Sequence, residues 1–238
     1  DRFDKDSKRF IHYKNNPNDP YYLSNNFINS IYETSSGLLF VATYGGGLNI
    51  FDRNTGKFDV YKKDPLKPES LSSSYPLSLF EDQSETLWIG TYGGGLSSYS
   101  RYRSKFGVFK NDPLNPKSLS SNAIRSFYID KSNTLWIGTR GGGLNKFDSE
   151  KGEFKAYKSV PNDNQTLSSN EIYFILEDEL GFFWIGTSGG GLNKFDPKTG
   201  KSQSFQNDPL NANSLSNNFI YYLLDDKLGS IWAGTDGG

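Results

Sequence analysis

The chain has 238 residues and a net charge of −1, with 26 Lys plus Arg against 27 Asp plus Glu, so it lacks the basic excess of a nucleic-acid binder. It has no Cys, which excludes disulfides, thiolate metal sites and cysteine nucleophiles, and its single His, His12, leaves no material for a histidine zinc site or a Ser-His-Asp triad. No apolar run approaches the roughly 20 residues of a membrane span, so this segment is expected to make no membrane contact; no signal peptide is visible either. The chain begins with Asp1 and contains no Met, as expected of a piece cut from a longer translation product.

In chain order, the first expected elements are two short strands, Arg2–Asp4 and Phe10–Lys14. A unit of 48 residues then recurs without a gap: Trp88, Trp136, Trp184 and Trp232 keep that step, and Phe40 takes the fifth place. Glycine runs starting at Gly45, Gly93, Gly141, Gly189 and Gly237 keep it too, as do Pro17, Pro65, Pro113, Pro161 and Pro209. The copy 123–170 shows the pattern. An apolar stretch, Ala123–Asp130, predicts an inner strand. Thr134–Thr139 alternates around Trp136 and predicts a second; Gly143–Asp148 and Phe154–Lys158 predict the third and fourth. Polar turn residues separate them, and a Pro-, Asn- and Ser-rich loop leads to the next copy. The last copy supplies a first strand, 219–226, and a second, 230–235.

Four short strands in 40–50 residues make the blade unit of a propeller. The expected fold is all-β: a single domain, 1–238, forming a five-bladed β-propeller of four-stranded antiparallel blades. One composite blade, from 1–14 plus 219–238, is expected to close the N- and C-termini, because unpaired strand edges are normally removed by pairing. The alternative is an array that stays open or swaps strands between chains; a monomer is the expectation.

The phrase LWIGTRGGGLNKFD at Leu135–Asp148, with the lead-in KSLSSNAI at Lys117–Ile124, resembles the two-component regulator propeller repeat. The resemblance spans the whole chain. It implies an extracytoplasmic sensor region of a bacterial histidine-kinase system, in the periplasm or outside the cell, many of whose relatives respond to oligosaccharides. Relatives usually carry more blades than five, and no kinase or receiver segment is present here, so signalling is implied only for a parent protein.

The repeated residues are expected to be scaffold. The tryptophans should fill space between neighbouring sheets. The glycine runs suit turns with positive φ and close backbone approach; they lack the pattern of a phosphate loop. Asp82, Asp130, Asp178 and Asp226 open the turn between first and second strands, where side-chain capping is the expected role and calcium the weaker alternative. No cofactor is expected.

Function is sought where the copies differ. The residue before each glycine run is Tyr44, Tyr92, Arg140, Ser188 or Asp236. A second variable set lies near the start of the inner strand: Asn29, Leu77, Arg125, Tyr173 and Tyr221. In a propeller both sets approach the channel mouth. Aromatic faces beside polar groups suit an oligosaccharide or another small polar ligand; drift of exposed loop residues would give the same variability. Non-catalytic binding is the expectation. A lyase or glycosidase would have to rely on Asp236 with Glu171, or on Tyr92 with Arg140, and no motif supports either pair. A folding module without any ligand is a further alternative. Tyr21, Tyr22 and Phe27 are expected to pack within the first connecting loop, and His12 to lie on the surface.

Overall fold

The computed structural model describes residues 1–100 and 106–238. All regular structure among them is β, and it divides into two compact units, Asp1–Val108 and Phe109–Gly238.

The first unit opens with β1 (Arg2–Asp4) and β2 (Arg9–Ile11), which form a two-stranded sheet. Two four-stranded antiparallel sheets follow. One comprises β3 (Ile28–Glu33), β4 (Leu39–Thr43), β5 (Gly47–Phe51) and β6 (Phe58–Tyr61). The other comprises β7 (Pro76–Glu81), β8 (Leu87–Thr91), β9 (Leu96–Tyr99) and β10 (Phe106–Phe109). The second unit holds β11 (Ile124–Ile129), β12 (Leu135–Thr139), β13 (Leu144–Asp148) and β14 (Glu153–Tyr157) as one four-stranded sheet. A second is made by β15 (Ile172–Glu177), β16 (Phe183–Thr187), β17 (Leu192–Phe195) and β18 (Ser202–Phe205). The unit ends with β19 (Ile220–Asp225) and β20 (Ile231–Thr235), again a two-stranded sheet.

Each two-stranded sheet keeps the register of the matching strands in a four-stranded blade. Phe3 faces Phe10 as Phe147 faces Phe154, and Leu224 faces Trp232 as Tyr128 faces Trp136. What differs is cover: Trp136 is 0% exposed beneath outer strands and a following sheet, whereas Trp232 is 64% exposed.

The local rules behind a blade are legible in β11–β14. Asp130 caps the first turn: its Oδ1 accepts the N–H groups of Ser132 and Thr134, each at 2.9 Å. The turn needs one left-handed residue, and Asn133 supplies it at φ 61°. The Gly141–Gly143 run closes the second turn. Gly143 sits at φ +76°, where a Cβ would meet the Tyr157 carbonyl oxygen, so close approach and positive φ coincide as expected. Thr139 Oγ1 donates to the Gly143 carbonyl at 2.8 Å, and the buried Asn145 amide donates to Ser120 Oγ at 2.7 Å. These buried polar groups are thus paired, while the buried hydroxyls of Ser78 and Ser126 have no hydrogen-bond partner among the described residues.

The tryptophan reading holds for Trp136, whereas Trp184 is only partly buried. Trp136 packs edge-on against Phe183 of the next sheet, with centroids 4.9 Å apart. Leu144, Ile172, Ile185 and Phe195 complete that core. In the first unit Phe40 does the same beside Leu48, Leu79, Leu87 and Ile89. In the first connecting loop Tyr21 is half exposed, with the Lys57 ammonium 4.7 Å from its ring centre. Phe27 lies edge-on to Tyr44 at 5.7 Å. His12 is exposed, and its Nδ1 lies 2.8 Å from Asp1 Oδ1.

Candidate functional site

Both variable sets occupy fixed backbone positions. The residue before each glycine run donates its N–H to a carbonyl 17 residues upstream: Tyr44 to Phe27 at 2.9 Å, Tyr92 to Tyr75 at 2.9 Å, and Arg140 to Ala123 at 2.8 Å. Ser188 donates to Glu171 and Asp236 to Phe219, both at 3.0 Å. The main chain does not care which side chain stands there. The same bonds bring forward a third variable set that the sequence does not single out: Phe27, Tyr75, Ala123, Glu171 and Phe219. Its only sequence signal is the shared step of 48 residues.

The second set turns out to be the β-bulge of every inner strand. The register slips between Ile28 and Ser30, Pro76 and Ser78, Ile124 and Ser126, Ile172 and Phe174, and Ile220 and Tyr222. Asn29, Leu77, Arg125, Tyr173 and Tyr221 are the skipped residues. A bulge re-aims one side chain without disturbing the rest of its strand.

In the first unit these positions gather aromatic rings. Tyr44 meets Tyr75 edge-on at 5.0 Å, and both, with Tyr92, are 40–51% exposed. They line an open cleft of about 470 Å³ with Lys63, Ser72, Ser73, Gly93 and Gly94. Ser73 holds the wall in place: its Oγ accepts the Tyr75 N–H at 3.2 Å and donates to the Tyr92 carbonyl at 3.3 Å. Asn29 is not part of this cleft. Its amide donates to the Pro76 carbonyl at 2.8 Å, tying neighbouring inner strands together.

In the second unit the corresponding residues engage one another. The Arg125 guanidinium lies 4.6 Å from the Tyr173 ring centre, and Tyr173 meets Tyr221 edge-on at 5.3 Å. Three successive bulges thus form one stack. The Arg140 Nε lies 3.6 Å from Glu171 Oε1, a half-exposed pair. Ser188 is partly buried and Asp236 exposed.

Glu171 faces Arg140, and no group of carboxylates and histidines fit for a metal occurs among the described residues. The turn aspartates are also committed. In Asp82, Asp130 and Asp178, Oδ1 accepts turn N–H groups while Oδ2 accepts the indole N–H of Trp88, Trp136 or Trp184 at 2.8–3.0 Å. Backbone donors from Leu228 and Ser230, then the Trp232 indole, hold the Asp226 carboxyl below the usual carboxylate range.

No curated protein matches the chain in a sequence search. Solved structures do. The extracellular domain of the candidate hybrid two-component system BT3049 from B. thetaiotaomicron is 28% identical over 96% of this chain, with a TM-score of 0.75. That of BT4673 from the same organism is 25% identical over 93%, with a TM-score of 0.69. The chain spans 28% and 29% of the length of those two proteins. PorZ of the Porphyromonas gingivalis type-IX secretion system shares the fold alone, at 17% identity and a TM-score of 0.68. The family described as two component regulator propeller matches at residues 22–45, 70–93, 118–141, 166–189 and 214–237, once per copy and just over half the chain. All-β propeller blades in a repeat that recurs five times, matched by extracellular regions of two-component systems, place the chain in the two-component regulator propeller family.

Proposed function

We propose that the chain is a non-catalytic recognition module of an extracytoplasmic sensor, in the periplasm or outside the cell, that binds an oligosaccharide or another small polar ligand at its variable rim. The observation that carries this reading is the tyrosine cleft of the first unit. It is concave, aromatic-walled and built from side chains whose backbone positions are constant. Exposed tyrosine faces beside hydroxyl groups suit the C–H faces and hydroxyls of a pyranose ring. The extracellular placement of the BT3049 and BT4673 domains supports the location. Signalling belongs to whatever longer protein carries such a module.

A panel of plant and bacterial oligosaccharides, titrated calorimetrically against the chain and against Tyr92→Ala and Arg140→Ala, tests the reading. Saturable binding of a panel member, weakened by Tyr92→Ala without a change in melting temperature, is expected. Unchanged affinity in both variants would remove the rim as the site. Turnover of any panel member would overturn the non-catalytic assignment.

A further inference from the structure

The tyrosine cleft departs from the repeat in more than its tyrosines. At most copies the residue opening the connecting loop is an asparagine that braces the loop. Asn15, Asn111 and Asn207 donate their side-chain amides to the carbonyls of Leu23, Leu119 and Leu215 at 2.7–2.8 Å. In the first unit that place is taken by Lys63. The partner asparagine is replaced as well. Asn26, Asn122, Asn170 and Asn218 accept a loop N–H at 2.7–2.8 Å, whereas Ser74 accepts the Lys63 N–H at 3.2 Å. Beneath them, Ser97 stands where Asn49, Asn145 and Asn193 are buried, and its Oγ donates to Ser72 at 2.8 Å.

Ser159 also takes the asparagine's place in another copy, but at the Lys63 junction all three scaffold positions are exchanged together and the bracing residue becomes a cation. Lys63 is exposed, lines the cleft beside Tyr44, Tyr75 and Tyr92, and makes no ion pair among the described residues. An ammonium beside ring-stacking faces is complementary to a ligand that joins a pyranose face to a carboxylate. Resting on the recognition reading above, we infer that this cleft selects acidic saccharides, with Lys63 meeting a uronate carboxylate while the tyrosines pack against the sugar ring. Lys63 is then a specificity-determining residue, and Tyr75, which the third variable set brings in, is a stacking one.

The test uses uronate-containing oligosaccharides from pectin, alginate and heparan sulfate beside their carboxyl-reduced, neutral counterparts. The variants borrow from other copies: Lys63→Asn restores the bracing residue of Asn111, and Tyr75→Ala restores that of Ala123. Wild-type chain is expected to bind at least one acidic probe roughly tenfold more tightly than its neutral form, a margin that shrinks as salt rises. Lys63→Asn should abolish the margin without lowering the melting temperature, and Tyr75→Ala should weaken both probes. Equal binding of acidic and reduced probes, a margin that survives Lys63→Asn, or no binding by any acidic probe would overturn the inference. Binding of neutral probes that Tyr92→Ala weakens would leave the broader recognition reading standing. Silence from every probe would end both.

Discussion

The indole Nε1 of Trp136 donates to Oδ2 of Asp130 at 2.8 Å, so one carboxylate both caps the turn and anchors the buried ring of its own blade. Trp88 with Asp82 and Trp184 with Asp178 repeat the bond. In the copy where Phe40 replaces the tryptophan, Thr34 replaces the aspartate, and its hydroxyl accepts the Leu38 N–H at 3.1 Å instead. The two positions change together because an aspartate without an indole donor, or an indole without an acceptor, leaves a polar group short of a partner.

That relationship predicts coupling. Asp130→Ala should cost about 1–3 kcal/mol in urea denaturation, since it strands the buried indole and the turn N–H groups. Phe40→Trp alone should destabilise. Adding Thr34→Asp should recover part of the loss, with a coupling of about 0.5–3 kcal/mol in a double-mutant cycle. Strict additivity would contradict the paired reading.

Cover, and not sequence, separates Trp136 from Trp232. Trp136→Ala removes a fully buried ring and should cost about 3–5 kcal/mol. Trp232→Ala, on a ring 64% exposed, should cost less than about 1 kcal/mol. Equal losses would contradict the dependence on cover.

The glycine runs separate strain from crowding. Gly141 is at φ +79° with open space around it, so asparagine, which tolerates that region, should cost less there than alanine. At Gly142 a Cβ would lie 2.5 Å from Ser120 Oγ and 2.7 Å from Thr139 Oγ1, so the order should reverse, alanine costing about 1–3 kcal/mol and asparagine more. The same order at both positions, by denaturation midpoint, would contradict this division.

Tyr128 should titrate late. Burial, then the neighbouring Glu177 carboxylate, pushes its phenol from 10.0 up to about 12. The folded state holds that proton more tightly than the unfolded chain. The associated stability is therefore fully present below pH 10 and lost as pH rises towards 12. Absorbance titration near 295 nm should show a late-ionising tyrosine that disappears in Tyr128→Phe; a variant with the same late component would refute the assignment.

Much of this architecture is legible in the sequence because it is written several times over. The step between Trp88, Trp136, Trp184 and Trp232 fixes the blade length, and most strands fall within a residue of their expected ends, though β2 stops at Ile11 and not Lys14. The bulge at Arg125 is not legible, since a skipped residue leaves no mark in an apolar-polar alternation. The Asp130–Trp136 bond is hidden for another reason: a spacing of six residues says nothing until a turn folds the two strands together. Tyr75 is not legible either, because its place at the cleft follows from a backbone bond to Tyr92. The Lys63 exchange is visible in the alignment of copies, but its meaning depends on the tyrosines that surround it.

On the proposed function, residues shared by all copies build the scaffold while residues that differ recognise the ligand. Calorimetric titration of the double variant Tyr44→Ser, Tyr92→Ser, carrying the residue found at Ser188, tests it most directly with an oligosaccharide that the wild-type chain binds. The account predicts that binding is lost while the melting temperature stays within about 2 °C of wild type, as expected for exposed substitutions costing under about 0.5 kcal/mol. Retained binding, or a collapse of stability with it, would contradict the claim.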